Sequence, residues 1–172
     1  MVVRSHPRVL VVFYSRSGNT RRVAHAIAEE LHADVEEIID RRDRRGLLGY
    51  LRAGRDAWRQ RETPIDSPRS DPRSYDLVIA GSPVWSGSLA SAMRTYLACY
   101  RNALTEVAFF LTHGGSARER VFRQMTEVAG RAPLRTLAIR EKELSGGEWM
   151  DRARGFAREL GRLVELGTAV PH

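Results

Sequence analysis

The chain has 172 residues, 42% of them hydrophobic and 28% charged, which is typical of a folded globular protein and excludes a disordered one. Its length predicts one compact domain spanning residues 1–172. The single cysteine, Cys99, excludes an internal disulfide and a cysteine-based metal cluster. The net charge of +7 comes almost entirely from arginine, since Lys142 is the only lysine.

The sequence contains no apolar stretch long enough for a membrane span and no apolar signal-peptide core in residues 1–7. We therefore expect a cytoplasmic protein. Cys99 falls on the apolar side of a predicted helix, which indicates a buried packing role.

The first part of the chain alternates between an apolar run and a helical pattern. Residues 8–14 (RVLVVFY) are continuously apolar and β-branched, which predicts a strand buried on both faces. Residues 19–32 carry apolar side chains at helical spacing. Residues 34–39 form a second strand candidate whose acidic residues indicate partial exposure.

The rest of the chain continues this alternation. The predicted elements are a strand at 75–81, a helix at 88–100 with Ser88 as its N-cap, a strand at 106–112, a helix at 117–129, a strand at 133–139 and a helix at 147–166. Strands alternating with helices of this length predict a three-layer, doubly wound α/β fold with a parallel sheet. Ligands of such folds bind at the carboxyl ends of the strands, so the loops after the first, third and fourth strands are the candidate site.

The loop after the first strand is rich in groups that bind anions. It lies between a buried strand and a helix start, where free backbone N–H groups and the helix dipole favour negative charge. Gly18 allows close backbone approach, and hydroxyl and amide side chains exceed what a simple N-cap needs. The loop consists of Ser15, Arg16, Ser17, Gly18, Asn19 and Thr20.

This S-x-S-G-N-T loop resembles the phosphate-binding signature of flavodoxins and related flavoproteins. The resemblance continues in the same order over about residues 8–165. It implies a five-stranded parallel sheet in the order 2-1-3-4-5 and non-covalently bound FMN. It also implies phosphate ligands among Ser15, Ser17, Gly18, Asn19 and Thr20. Arg16 stands where many relatives have a small polar residue, and either attracts the phosphate or points to solvent.

The loop after the third strand, residues 81–88, resembles the family segment that runs along the isoalloxazine ring. The residues implied are Pro83, Val84, Trp85, Ser86 and Gly87. A tryptophan between proline and glycine can offer a rigid, flat face for stacking. Packing of Trp85 into the core is the alternative interpretation.

The loop after the fourth strand contains Thr112, His113, Gly114, Gly115 and Ser116. Its two glycines allow the backbone close to the polar edge of a flavin ring. His113 is the catalytic candidate, because a histidine titrates near neutral pH and can hydrogen-bond the flavin or a substrate. A solvent-facing loop histidine is equally compatible with the sequence. Many flavodoxins have a stacking tyrosine near this loop, and its absence here suggests a more open ring face.

An arginine-rich segment lies between the second and third strands, about residues 41–62. Its leucines and Trp58 recur at helical spacing, which predicts an extra amphipathic helix. It is either a solvated helix or a contact for an acidic redox partner, an anionic substrate or a membrane surface. No nucleic-acid-binding motif accompanies it, so we expect no nucleic acid partner.

Three functions remain open from the sequence. The favoured one is an FMN-dependent oxidoreductase, driven by NAD(P)H or a partner reductase, that reduces a quinone or similar acceptor. The alternatives are a one-electron carrier of the flavodoxin type and a non-catalytic module with a flavodoxin fold. A homodimer is possible, because a second subunit often completes an open flavin face in this family.

Overall fold

The structure is a computed structural model that describes residues 6–41, 62–115 and 117–168. The predicted arginine-rich helix lies outside these residues, except for the ends of its segment at Arg41 and Glu62. Ser116 of the third loop also lies outside them.

Strands and helices alternate through the described residues, as the sequence pattern predicts. In chain order they are β1 (Val9–Phe13), α1 (Asn19–Leu31), β2 (Asp34–Glu37), β3 (Leu77–Trp85), β4 (Ser88–Leu89), α2 (Ser91–Tyr100), β5 (Glu106–His113), α3 (Arg118–Ala129), β6 (Thr136–Arg140) and α4 (Glu148–Thr168).

Five of the strands form a parallel sheet in the order β2-β1-β3-β5-β6. This confirms the predicted order 2-1-3-4-5, because the short β4 pairs antiparallel with β3 at the side of that path. The strands β1, β3 and β5 are therefore neighbours in the middle of the sheet. Their carboxyl ends bring the three predicted loops to one edge.

Both faces of the sheet are covered, which explains the uninterrupted apolar run of β1. Alternate residues of a strand point to opposite faces, and all five residues of β1 are buried. Val9, Val11 and Phe13 pack in one apolar cluster with α1 and α4. Leu10 and Val12 pack in the other, with α2 and α3. The three-layer prediction is thus confirmed.

The segment 81–85, predicted as a loop, is a continuation of β3. Gly81 fits because the ring of Phe110 on β5 fills its side-chain position: an added Cβ would lie 1.9 Å from Phe110 Cζ. The chain then reverses at Ser86 and Gly87, whose φ angles of 47° and 69° are what a two-residue hairpin turn requires. Trp85 pairs with Ser88 across this turn.

Two further predictions are wrong for the same region. Ser88 does not cap α2, because it belongs to β4, and the N-cap of the helix is Ala90. Cys99 is exposed rather than buried. The apolar side of α2 ends earlier, since residues 91–97 are buried and the last turn of the helix leaves the core.

Among the described residues, no helix combines the length and the apolar character that a membrane crossing needs.

Candidate functional site

The carboxyl edge of the sheet brings together the three loops that the sequence singles out. The loop after β1 carries residues 15–20, the hairpin after β3 carries Trp85 to Gly87, and β5 ends at His113. Contacts between the loops, described below, hold them side by side. We call them the phosphate loop (residues 15–20), the tryptophan hairpin (residues 83–88) and the histidine loop (residues 112–117).

The phosphate loop is shaped by Ser15 and Gly18. The hydroxyl oxygen of Ser15 accepts hydrogen bonds from the backbone N–H groups of Gly18 at 3.2 Å and Arg21 at 3.3 Å. Gly18 has a φ of 91° in the left-handed region, where glycine is favoured. Helix α1 begins directly after it, and because the Ser15 hydroxyl takes up only the N–H of Arg21 among those of the helix, the N–H groups of Asn19 and Thr20 at the helix start have no partner within the helix. This arrangement favours an anion at the helix start.

A buried hydrogen bond joins the phosphate loop to the histidine loop. The side-chain oxygens of Thr20 and Thr112 lie 2.7 Å apart, and both residues are almost fully buried. Thr20 therefore faces β5 with its hydroxyl, while Arg16 and Ser17 are exposed at the loop tip. The loop presents backbone N–H groups, the exposed Ser17 and the partly buried Asn19 on its outer side.

The tryptophan hairpin lies against the start of the phosphate loop. The ring of Trp85 packs edge-on against Tyr14, with ring centroids 5.3 Å apart and planes at 85°. Trp85 is only half-buried, although it borders the core, and Pro83 within β3 is fully buried. Trp85 thus packs against the core, as one interpretation allowed, while a stacking contact of its indole stays a prediction.

The tryptophan hairpin also meets the histidine loop. An added Cβ on Gly87 would lie 3.4 Å from Cβ of Ala117. Ala117 has a φ of 78°, an uncommon conformation for a residue with a side chain. Gly18, Ser86, Gly87 and Ala117 all have positive φ, so left-handed backbone is concentrated where the three loops meet.

His113 lies at the end of β5 and is 2% exposed, so it is not the solvent-facing residue that one interpretation allowed. Its Nδ1 is hydrogen-bonded to the backbone oxygen of Gly115. Because a carbonyl only accepts, Nδ1 carries the proton. The other nitrogen, Nε2, then holds a lone pair in the neutral ring. Gly114 and Gly115 are exposed, with open space around their side-chain positions.

An ion pair at the edge of the phosphate loop does not follow from any sequence motif. Arg21 Nε donates to Glu37 Oε2 at 3.1 Å, and Arg21 Nη2 donates to Glu37 Oε1 at 2.6 Å. The hydrogen bond and the charge of Glu37 raise the pKa of Arg21. Arg21 follows the S-x-S-G-N-T motif directly, whereas only the pairing of β2 with β1 brings Glu37 to it.

The described residues contain no group of histidine, cysteine and carboxylate side chains that could hold a metal ion. The groups at this edge that a ligand could meet are the backbone N–H groups of the helix start, the indole of Trp85 and the imidazole of His113.

Comparison with known proteins agrees with this geometry. A flavoprotein from Lactobacillus acidophilus NCFM, crystallised in complex with FMN, is 26% identical, with 81% of this chain and 97% of that chain covered and a TM-score of 0.68. A flavodoxin, WrbA-like protein from Agrobacterium tumefaciens is 14% identical, with coverages of 93% and 98% and a TM-score of 0.64. A putative flavoprotein from Bacteroides uniformis is 16% identical, with coverages of 90% and 99% and a TM-score of 0.69.

The family model described as flavodoxin matches residues 8–145, which include all three loops and every strand of the described sheet. The resemblance noted from the S-x-S-G-N-T motif is therefore confirmed. The chain belongs to the flavodoxin family.

Proposed function

We propose that this protein is an FMN-dependent oxidoreductase that reduces a quinone or a similar acceptor. The observation that carries the proposal is the convergence of three loops: a helix start with N–H groups that lack a partner within the helix, a partly buried tryptophan and a buried histidine share one sheet edge. An anion site beside an accessible aromatic ring suits a ligand that joins a phosphate to a flat ring system.

FMN is the cofactor that this arrangement and the family support. The chain belongs to the flavodoxin family, and the Lactobacillus relative was crystallised with FMN, so the sequence-based prediction of FMN is confirmed at the level of the family. We place the phosphate in the phosphate loop and the ring between Trp85 and the histidine loop. When bound, FMN supplies the electron or hydride transfer.

His113 is the residue that we propose for proton transfer. Reduction of a quinone to a hydroquinone takes up two electrons and two protons. Transfer of a hydride supplies both electrons and the equivalent of one proton, so one further proton is required. The hydrogen bond from Nδ1 to Gly115 fixes the ring and leaves Nε2 to take up this further proton from water and deliver it to the acceptor.

The first test is the absorption spectrum of the purified protein and its titration with FMN. The proposal expects flavin bands and saturable uptake, and a protein that takes up no FMN contradicts it. NADH and NADPH are then offered as reductants, with a soluble quinone as acceptor. Rapid flavin reduction followed by reoxidation by the quinone is the expected result. Reduction only through a separate reductase would favour the one-electron carrier.

The role of His113 is tested with His113→Asn. Asparagine can still donate to the carbonyl of Gly115 but has no second ring nitrogen. We expect kcat for quinone reduction to fall about 100-fold, in the range of general acid catalysis, with FMN affinity little changed. Loss of FMN binding in this variant would assign His113 a structural role.

The cellular location and the partners of the protein are also part of the proposal. We infer a cytoplasmic protein that meets a small acceptor or a redox partner protein, with a second copy of the chain as a further partner to examine by sedimentation.

A further inference from the structure

The guanidinium group of Arg21 lies over the phosphate loop in a fixed orientation. Two of its nitrogens, Nε and Nη2, donate to the two carboxylate oxygens of Glu37. The third, Nη1, is 3.9 Å from the position that a Cβ on Gly18 would occupy. Among the described residues Nη1 has no hydrogen-bond partner, so this nitrogen can still donate to an acceptor at the loop.

The position of this pair follows from the sheet. Glu37 is the last residue of β2 and pairs with Phe13, the last residue of β1. The phosphate loop begins two residues after Phe13, and Arg21 lies in the first turn of α1, directly after the loop. The carboxylate of Glu37 therefore lies beside the phosphate loop and binds the guanidinium of Arg21 from the side of β2.

The fixed orientation matters for binding an anion. A free arginine side chain loses rotamer entropy when a ligand immobilises it. Glu37 already immobilises Arg21, so a further hydrogen bond from Nη1 has little of this entropy left to lose. Glu37 approaches the edge formed by Nε and Nη2, which leaves the Nη1 corner to another acceptor.

We propose that Arg21, oriented by Glu37, is a phosphate-binding residue of the FMN site. Its Nη1 donates a charge-assisted hydrogen bond to the phosphate, beyond the backbone and hydroxyl donors of the loop itself. Arg21 thereby favours FMN over riboflavin, which has the same ring and no phosphate. This inference rests on the proposed FMN site, and Glu37 acts in it as a positioning residue.

The competing interpretation is an ordinary surface ion pair between α1 and β2. Exposed pairs contribute little to stability and have no effect that depends on a ligand. The two interpretations differ in one measurable quantity, the ratio of FMN affinity to riboflavin affinity.

The experiment titrates the apoprotein with FMN and with riboflavin and follows quenching of flavin fluorescence. The variants are Arg21→Gln and Arg21→Lys. The matched control is Arg73→Gln, which removes the same charge from another arginine–carboxylate pair, with Asp71. Arg73 precedes β3 and so lies at the opposite edge of the sheet from the phosphate loop. Thermal melting of each apoprotein checks that the variants are folded.

We expect Arg21→Gln to weaken FMN binding about tenfold, as loss of one charge-assisted hydrogen bond does, and to leave riboflavin binding within about twofold. The FMN affinity of Arg21→Lys should lie between those of the unchanged protein and Arg21→Gln, because lysine keeps the charge but lacks the planar group that can bridge Glu37 and the loop. Arg73→Gln should bind both flavins like the unchanged protein. The FMN affinity of the unchanged protein should also fall more steeply with added salt than that of Arg21→Gln.

Equal loss of FMN and riboflavin affinity in Arg21→Gln would overturn the inference, because it would show a structural effect. Unchanged affinity for both flavins would overturn it as well and leave an ordinary ion pair. In both cases the unchanged protein still binds FMN, so the proposed function survives. A protein that binds no FMN at all overturns both.

Discussion

The side-chain oxygens of Thr20 and Thr112 lie 2.7 Å apart in a buried hydrogen bond that joins the phosphate loop to the end of β5. The two residues are 92 positions apart in the chain, so this contact is one of those that turn separate motifs into one site. A buried hydroxyl without its partner is costly, whereas removing both hydroxyls together is much less so.

The first prediction concerns this bond. Thr112→Val keeps the shape of the side chain and leaves the Thr20 hydroxyl unpaired, so the free energy of unfolding of the apoprotein should fall by about 1–2 kcal/mol. The double variant Thr20→Val/Thr112→Val should be no less stable than the single one. Urea denaturation of the unchanged protein, both single variants and the double variant measures the coupling energy between the two hydroxyl groups. If the losses of stability of the single variants simply add in the double variant, the prediction is contradicted.

The second prediction concerns the close approach of β3 and β5 at Gly81. Gly81→Ala places a methyl group inside the ring of Phe110, with 1.9 Å to Cζ, and should lower the free energy of unfolding by about 1–3 kcal/mol or more. Gly114→Ala is the control, since no atom of the described residues beyond its chain neighbours lies within 4 Å of its added Cβ, and should change stability by less than about 0.5 kcal/mol. Similar melting temperatures for the two variants would argue against the packing described here.

The third prediction concerns the accessible part of Trp85. Trp85→Ala removes the flat face beside the phosphate loop and should weaken FMN and riboflavin binding alike, by about tenfold or more, while Trp85→Phe keeps most of the affinity. The equal effect on both flavins distinguishes a ring contact from the phosphate contact proposed for Arg21. If Trp85→Ala binds both flavins normally, the indole serves only to pack against Tyr14.

The fourth prediction concerns a buried cation on α2. Arg94 is 7% exposed, and among the described residues its Nε and Nη2 have no hydrogen-bond partner. Burial lowers the pKa of Arg94, while the charges of Glu62 and Glu127 oppose that shift.

Arg94→Met replaces this cation by an apolar side chain of similar length. It should raise the free energy of unfolding by about 1–2 kcal/mol, because burying a charge is unfavourable when, as among the described residues, two of its nitrogens lack a hydrogen-bond partner. The exposed Arg120→Met on α3 provides the control, with a change below about 0.5 kcal/mol. A clear loss of stability in Arg94→Met, measured by urea denaturation, would reveal a stabilising partner for the guanidinium.

Local patterns in the sequence determined the alternation of strands and helices and the parallel sheet, and they predict the anion-binding character of residues 15–20. Each depends on neighbours along the chain: an apolar run predicts a buried strand, and glycine with hydroxyl groups before a helical pattern predicts an open helix start. Five strands in the predicted order are present because these local signals agree with one another.

Errors arose where a contact between distant residues decided the local structure. Residues 81–85 contain glycine, serine and proline, which are typical of a loop, yet β5 pairs with this segment and the ring of Phe110 fills the space beside Gly81. The exposed end of α2 likewise leaves Cys99 outside the core, although its spacing indicated an apolar position.

The site likewise combines residues that local sequence patterns identify with orientations that only contacts between distant residues decide. The sequence by itself determined that a phosphate loop, a tryptophan and a histidine follow three strands. Only the tertiary structure decided that Tyr14 holds Trp85 edge-on, that His113 is buried with its proton on Nδ1, and that Glu37 turns Arg21 across Gly18. The reason is physical: these orientations depend on strand pairing and side-chain packing between distant residues, and no spacing along one segment encodes them.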